Sequence, residues 1–129
     1  MNKLDQITNS GRKKIDIIKN LDTKLQDRKH ISFSKKVSVK PGDIQYIEKV
    51  GNYTVIHLYD KQPKKAKITL KQALGLLPES LFVQVHKSFA INLKYYDSQY
   101  DGKVILTNGT ALSVGRNFKS NLDQALGKD

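Results

Sequence analysis

The 129-residue chain contains no cysteine, no tryptophan, one methionine and three prolines. The absence of cysteine excludes disulfides and thiolate metal sites, so packing alone must hold the fold. No window approaches the ~18 consecutive apolar residues of a membrane-spanning helix. The polar start Met1-Asn2-Lys3-Leu4-Asp5 also lacks the apolar stretch of a secretory signal. Both absences predict a cytoplasmic chain without a membrane partner. Negative charge is scarce as well: 12 Asp+Glu against 23 Lys+Arg leave a formal charge of +11 and a pI near 9.8. Such a balance favours a polyanionic partner, nucleic acid ahead of an anionic membrane surface. The length allows one domain with a real core plus an extension, but not two domains of ordinary size.

The hydrophobic period changes near residue 30. Upstream, Arg12 to Lys29 contains no Gly or Pro and spaces Ile15, Ile18, Leu21 and Leu25 at three- and four-residue intervals, which predicts a helix with one apolar stripe. Residues 1–30 therefore read as a helical arm or linker, able to pack on its own domain or to form a two-stranded seam with a second copy. Downstream, over residues 31–129, the period falls to two and turn signals recur every eight to twelve residues, as in an all-β sandwich or barrel. Pro41-Gly42, Gly51-Asn52, Asp101-Gly102 and Asn108-Gly109 mark turns. The last lies between Val104-Ile105-Leu106 and Ala111-Leu112-Ser113-Val114 and predicts a type I′ hairpin.

Two short helices interrupt the strands. Thr69 and Gln72 have capping-box spacing, and Leu70, Ala73, Leu74 and Leu77 make an apolar face that Pro78 ends. The second helix is expected from about Asn117 to Leu126, with Phe118, Leu122 and Leu126 on one stripe and Gly127 as its stop. Because a helix start presents free amides and a positive partial charge, Arg116, Asn117 and Lys119 form a candidate phosphate cradle there.

Phe82 to Asn92 is the most informative stretch. One strand parity carries Val83, Val85, Phe89 and Ile91, and Lys87 falls on that same parity. Burying a lone ammonium on an apolar face costs several kcal/mol. The chain is therefore expected to bulge or turn at His86-Lys87-Ser88, freeing Lys87 for a partner. A catalytic site is not legible. His30, His57 and His86 lack metal-ligand spacing, Asp97 and Asp101 are a lone carboxylate pair in a turn-rich segment, and His86 with Ser88 has no evident acid. No glycine-rich phosphate loop is present, and neither a cofactor nor a metal is implied.

Asp43-Ile-Gln-Tyr-Ile-Glu48, Gly51-Asn52-Tyr53, Ile68-Thr-Leu70, the Phe82–Asn92 block, Asn108-Gly109 and Ser113-Val-Gly-Arg116 follow one another along the chain. In order and spacing, this set resembles the LytTR family of bacterial DNA-binding domains. The resemblance covers about residues 31 to 126. It implies a mainly β fold, a LytTR-like β sandwich of small antiparallel sheets with two short helices, and a sequence-specific transcriptional regulator, usually the output domain of a two-component response regulator. Such domains read double-stranded DNA through loops and have no enzyme activity. The implied contact regions are Asn52 and Tyr53, then His86, Lys87 and Ser88, then Arg116, Asn117 and Lys119. The first and last would enter successive major grooves, and the middle one the minor groove or backbone between them. Arg116 is the candidate for a bidentate guanine contact. The chain departs from the commoner pattern at Lys87, in place of Arg, at Gln84, where Arg is frequent, and at Gly115, where Ser is typical. Repeated half-sites, and a homodimer through the arm, are the corresponding assembly expectations. An RNA- or single-strand-binding β module, stacking bases on Tyr95, Tyr96 and Tyr100, is the alternative.

Overall fold

A computed structural model describes residues 29–127. Apart from Lys29 and His30, the expected arm lies outside them. The described residues form ten short strands in three antiparallel sheets, with two seven-residue helices. A small hairpin pairs β1 (Ile31–Ser34) with β2 (Val37–Val39). The central sheet has the order β5-β4-β3-β7-β6, where β3 is Ile44–Val50, β4 Tyr53–Leu58, β5 Lys64–Ala66, β6 Phe82–His86 and β7 Phe89–Asn92. The third sheet has the order β10-β9-β8, from Tyr96–Tyr100 (β8), Lys103–Leu106 (β9) and Ala111–Ser113 (β10). Helix α1 is Leu70–Leu76 and α2 is Lys119–Ala125.

Period-two patterning appears directly in β4, where Thr54, Ile56 and Leu58 are buried while Tyr53 is exposed and Val55 and His57 are half-buried. Ile44, Ile47, Ile56, Val85 and Ile91 from the central sheet join Val104, Leu106 and Leu112 from the third sheet in one core. Leu70, Ala73 and Leu77 of the α1 region close that core from one side, and Leu122, Ala125 and Leu126 do so from α2. Each such Ile or Leu side chain contributes ~1.5–3 kcal/mol through burial. The α1 capping box is present: the Gln72 N–H donates to Thr69 Oγ1 at 3.0 Å and the Thr69 N–H to Gln72 Oε1 at 2.8 Å.

Three local expectations are corrected. The Asn108-Gly109 hairpin forms, but not with a type I′ turn. Only Gly109 has positive φ (+90°), and the Gly109 N–H bonds back to the Leu106 carbonyl, so the loop turns over Thr107-Asn108 and ends in a left-handed glycine. Both central residues have positive φ at Asp101-Gly102 instead (53° and 74°), between the paired Tyr100 and Lys103. The segment holding Asp97 is strand β8 rather than a turn-rich stretch. The C-terminal helix starts at Lys119, not Asn117, because Arg116–Phe118 make a separate 3-10 turn.

Candidate nucleic-acid interface

The site is built at the end of the central sheet where β3 stops. β3 and β4 are joined by the two-residue turn Gly51-Asn52, with Val50 paired to Tyr53. Gly51 takes φ +59° while Asn52 stays at negative φ, the arrangement a type II′ hairpin requires. Gly51, Asn52 and Tyr53 are all exposed, and Lys65 of β5 places its ammonium 4.8 Å from the Tyr53 ring centroid.

The Phe82–Asn92 stretch resolves its misplaced cation with a bulge and a turn together. Pairing shifts between Gln84 and His86, opposite Ala90 and Phe89, so Val85 is the extra residue and stays fully buried. Lys87 and Ser88 then form the two-residue turn, with Lys87 exposed. His86 organises this turn: its Nδ1 accepts the Ser88 N–H at 3.0 Å, and its backbone carbonyl accepts from Gln84 Nε2 at 3.1 Å. Contact between His86 and Ser88 thus runs through the Ser88 amide, which is turn-building rather than a catalytic dyad. Asn92, the last residue of the block, is fully buried and donates to the carbonyls of Pro41 and Ile44, so its part is structural.

Two backbone bonds assemble the three expected regions. The Lys49 N–H donates to the Ser88 carbonyl at 2.8 Å, joining the first hairpin to the second. The Gly115 N–H donates to the carbonyl of the bulged Val85 at 2.7 Å, setting Arg116 next to the second hairpin. Glycine suits this crossing, since a Cβ at Gly115 would lie 3.2 Å from the Phe118 ring and 3.6 Å from His86 Cα. Arg116, Asn117 and Lys119 are exposed. The expected phosphate cradle is changed by the 3-10 turn: the Phe118 N–H is spent on the Gly115 carbonyl and Lys119 pairs with Asp123 at 3.5 Å.

Between the two hairpins and the start of α1 lies a groove of about 640 Å³ lined by Lys49, Asn52, Tyr53, Thr69, Lys71, Gln84 and Lys87 among others, with no carboxylate in its wall. Reading the sequence alone misses Lys49 and Lys71, which join Lys87 only in three dimensions. The aromatic platform needed for single strands is poorly served: Tyr95 and Tyr96 are half-buried, Tyr95 hydrogen-bonds the Gly42 carbonyl, and only Tyr100 of the three is well exposed, at 77%.

On the sheet face carrying Tyr53, His57 stacks on Tyr46 at 4.1 Å and meets Glu48 Oε1 through Nε2 at 2.9 Å. Partial burial, followed by the nearby Glu48 carboxylate, raises the Tyr46 phenol above its ordinary value. No group of three or more metal-ligating side chains occurs among the described residues, and no helix among them is long and apolar enough to cross a membrane.

Residues 34–127 match the family model of the LytTr DNA-binding domain. The chain belongs to the LytTR family. LytTR domains are DNA-binding domains, and this one has the mainly β fold of small antiparallel sheets expected of the family. A similar solved structure is the LytTr DNA-binding domain of a methyl-accepting/DNA response regulator from Bacillus cereus. It has 19% sequence identity and a TM-score of 0.63, and the match covers 77% of this chain and 95% of that one. A search of curated proteins returned no match. In this LytTR domain, the sheet end with its two hairpins and the Arg116 segment is where the sequence-expected contact residues gather.

Proposed function

We propose that the chain is a cytoplasmic, non-enzymatic transcriptional regulator of a two-component system that recognises a specific double-stranded DNA site through loops. Asn52 and Tyr53, the hairpin His86-Lys87-Ser88, and Arg116, Asn117 and Lys119 are its contact regions. The supporting observation is their convergence: regions at least 28 positions apart in sequence are tied to one sheet end by the Lys49–Ser88 and Val85–Gly115 backbone bonds. In this reading Arg116 supplies a planar fork to guanine, Asn52 a side-chain amide to adenine or phosphate, and the lysines charge without sequence information. Residues 1–30 are an arm separate from the DNA-binding domain of residues 31–129. Through Ile15, Ile18, Leu21 and Leu25 the arm pairs two copies on half-sites about one helical turn apart.

The test is selection of duplexes from a random pool, followed by anisotropy titration of the selected and a scrambled duplex across salt. Neutralising about five phosphates gives a log–log slope of roughly −4.5. Enrichment of one motif with that slope supports the reading. A flat salt response, or stronger binding to single-stranded RNA than to duplex, overturns it. For the arm, sedimentation should show a concentration-dependent dimer that disappears when Ile18 and Leu25 are made polar.

A further inference from the structure

We infer that Lys49, Lys71 and Lys87 form a clamp on the DNA backbone, making the first turn of α1 a fourth contact region beside the three loops. The inference rests on the DNA-binding reading above. These lysines come from three separate elements, the end of β3, the first turn of α1 and the β6–β7 turn, yet they line one groove of about 640 Å³. All three are exposed, and no described carboxylate forms an ion pair with any of them. Three like charges drawn around one concavity repel each other and add nothing to folding. A polyanion laid across the groove converts that repulsion into attraction and releases its own condensed counterions.

The groove also holds its lysines in place. The Thr69–Gln72 capping box fixes the turn that carries Lys71, and the Lys49 N–H to Ser88 carbonyl bond fixes Lys49 against the Lys87 turn. Thr69, Asn52 and Gln84 add neutral hydrogen-bonding groups to the wall. An ammonium is a compact point charge without a fork, suited to phosphate rather than to a base edge. Lys87 therefore acts with Lys49 and Lys71 as a phosphate holder, and the clamp sets register while Arg116 reads sequence.

The experiment compares the full-length wild type with Lys49→Ala/Lys71→Ala on the selected duplex and on a scrambled one, at about 50 and 200 mM salt. Five phosphate contacts predict that wild-type affinity falls roughly 500-fold over this range, whereas loss of two contacts leaves a fall of roughly 40-fold. The ratio of specific to scrambled binding should stay constant. Lys40→Ala, at the opposite end of the sheet beside Pro41, should keep the wild-type slope.

A second arm scans the selected duplex with neutral methylphosphonates. Of the phosphates whose neutralisation weakens the wild type, only those held by Lys49 and Lys71 should no longer matter to the double variant, while the rest still do, a coupling that general loss of charge would not produce. If the double variant keeps the wild-type slope, or stays sensitive at every phosphate, the clamp is wrong and the DNA-binding reading stands. A wild type whose own affinity ignores salt would overturn the DNA-binding reading itself.

Discussion

The two ends of the central sheet are made by the same strands and use their polar side chains in opposite ways. Where β3 begins, the polar side chains nearest the sheet are consumed internally. Asn92, with no exposed surface, donates to the Pro41 and Ile44 carbonyls at 3.2 and 2.9 Å and accepts the Lys94 N–H at 2.9 Å. Tyr95 donates to the Gly42 carbonyl, and Lys61 pairs with Asp43 at 3.2 Å. Where β3 ends, Lys49, Lys71 and Lys87 are exposed around a groove with no carboxylate in its wall, and the Gly51-Asn52 turn is open to solvent. Side chains that complete their hydrogen bonds within the chain specify the fold, whereas exposed cations left without carboxylates are available to a partner. The contrast predicts that damage at the first end appears as lost stability and damage at the second as lost binding.

The largest effect is expected from Asn92→Ala. It strands two buried carbonyls and one amide, each costing ~1–3 kcal/mol, so denaturant unfolding should show a loss of roughly 3 kcal/mol or more. Lys49→Ala, at the exposed end, should stay within ~0.5 kcal/mol of wild type. Similar losses for both would erase the distinction between the ends.

This contrast also marks how much could be read from the sequence. Lys87 was legible as a turn residue because a cation on an apolar parity is a local contradiction, and the Thr69-Gln72 cap was legible because its two hydrogen bonds span three residues. The Asn108 turn was misread because the Asn108 side chain has partners other than the turn itself: it donates to the distant Gln45 at 3.2 Å while its Oδ1 accepts the Thr110 N–H. The start of α2 was misplaced for a related reason, since the Gly115 crossing of β6 holds Arg116–Phe118 in a tighter turn. Lys49 and Lys71 were invisible as site residues because neither interrupts any pattern, and only the antiparallel return of β7 beside β3 brings Lys87 to them.

At the exposed end, Arg116→Lys keeps the charge and removes the planar pair of donors. Arg116 is the only arginine in residues 31–129, beside fourteen lysines, which points to a need for its geometry. The substitution should cost roughly 1–3 kcal/mol on the selected duplex and little on a scrambled one, with stability unchanged. If the ratio of specific to scrambled binding does not move, Arg116 is not a base reader and the Asn52 turn becomes the leading candidate.

Gly51→Ala tests the contrast from within, because it strains a residue of the binding end. Nothing lies within 4 Å of a Cβ placed there, so packing is not at issue, but φ of +59° is costly for an L side chain. A loss of roughly 1–2 kcal/mol in stability is expected. Asn52 should also be re-aimed, weakening specific binding more than Lys40→Ala does. A variant as stable as wild type would mean that the turn relaxes to a conformation alanine tolerates.

The smallest effect belongs midway along β3, at Tyr46, where the two ends share one strand. Its phenol is raised by partial burial and then by Glu48, so the folded state holds the proton at pH values where the unfolded chain has released it. The folded state then binds more protons than the unfolded one, and stability must fall as pH rises through the ordinary tyrosine value toward the raised one. The slope is bounded by one proton, about 1.4 kcal/mol per pH unit, and partial solvent exposure keeps it below that limit. Below the ordinary tyrosine value this contribution is fully present and flat. Tyr46→Phe retains the stack on His57 and the edge contact with Phe89 while removing the titrating group. Urea titrations at a series of alkaline pH values should therefore show a shallower decline for Tyr46→Phe than for wild type, with the two curves parallel near neutrality. Identical alkaline slopes would mean that the phenol titrates alike in the folded and unfolded chain, and that the middle of β3 contributes nothing that depends on its charge.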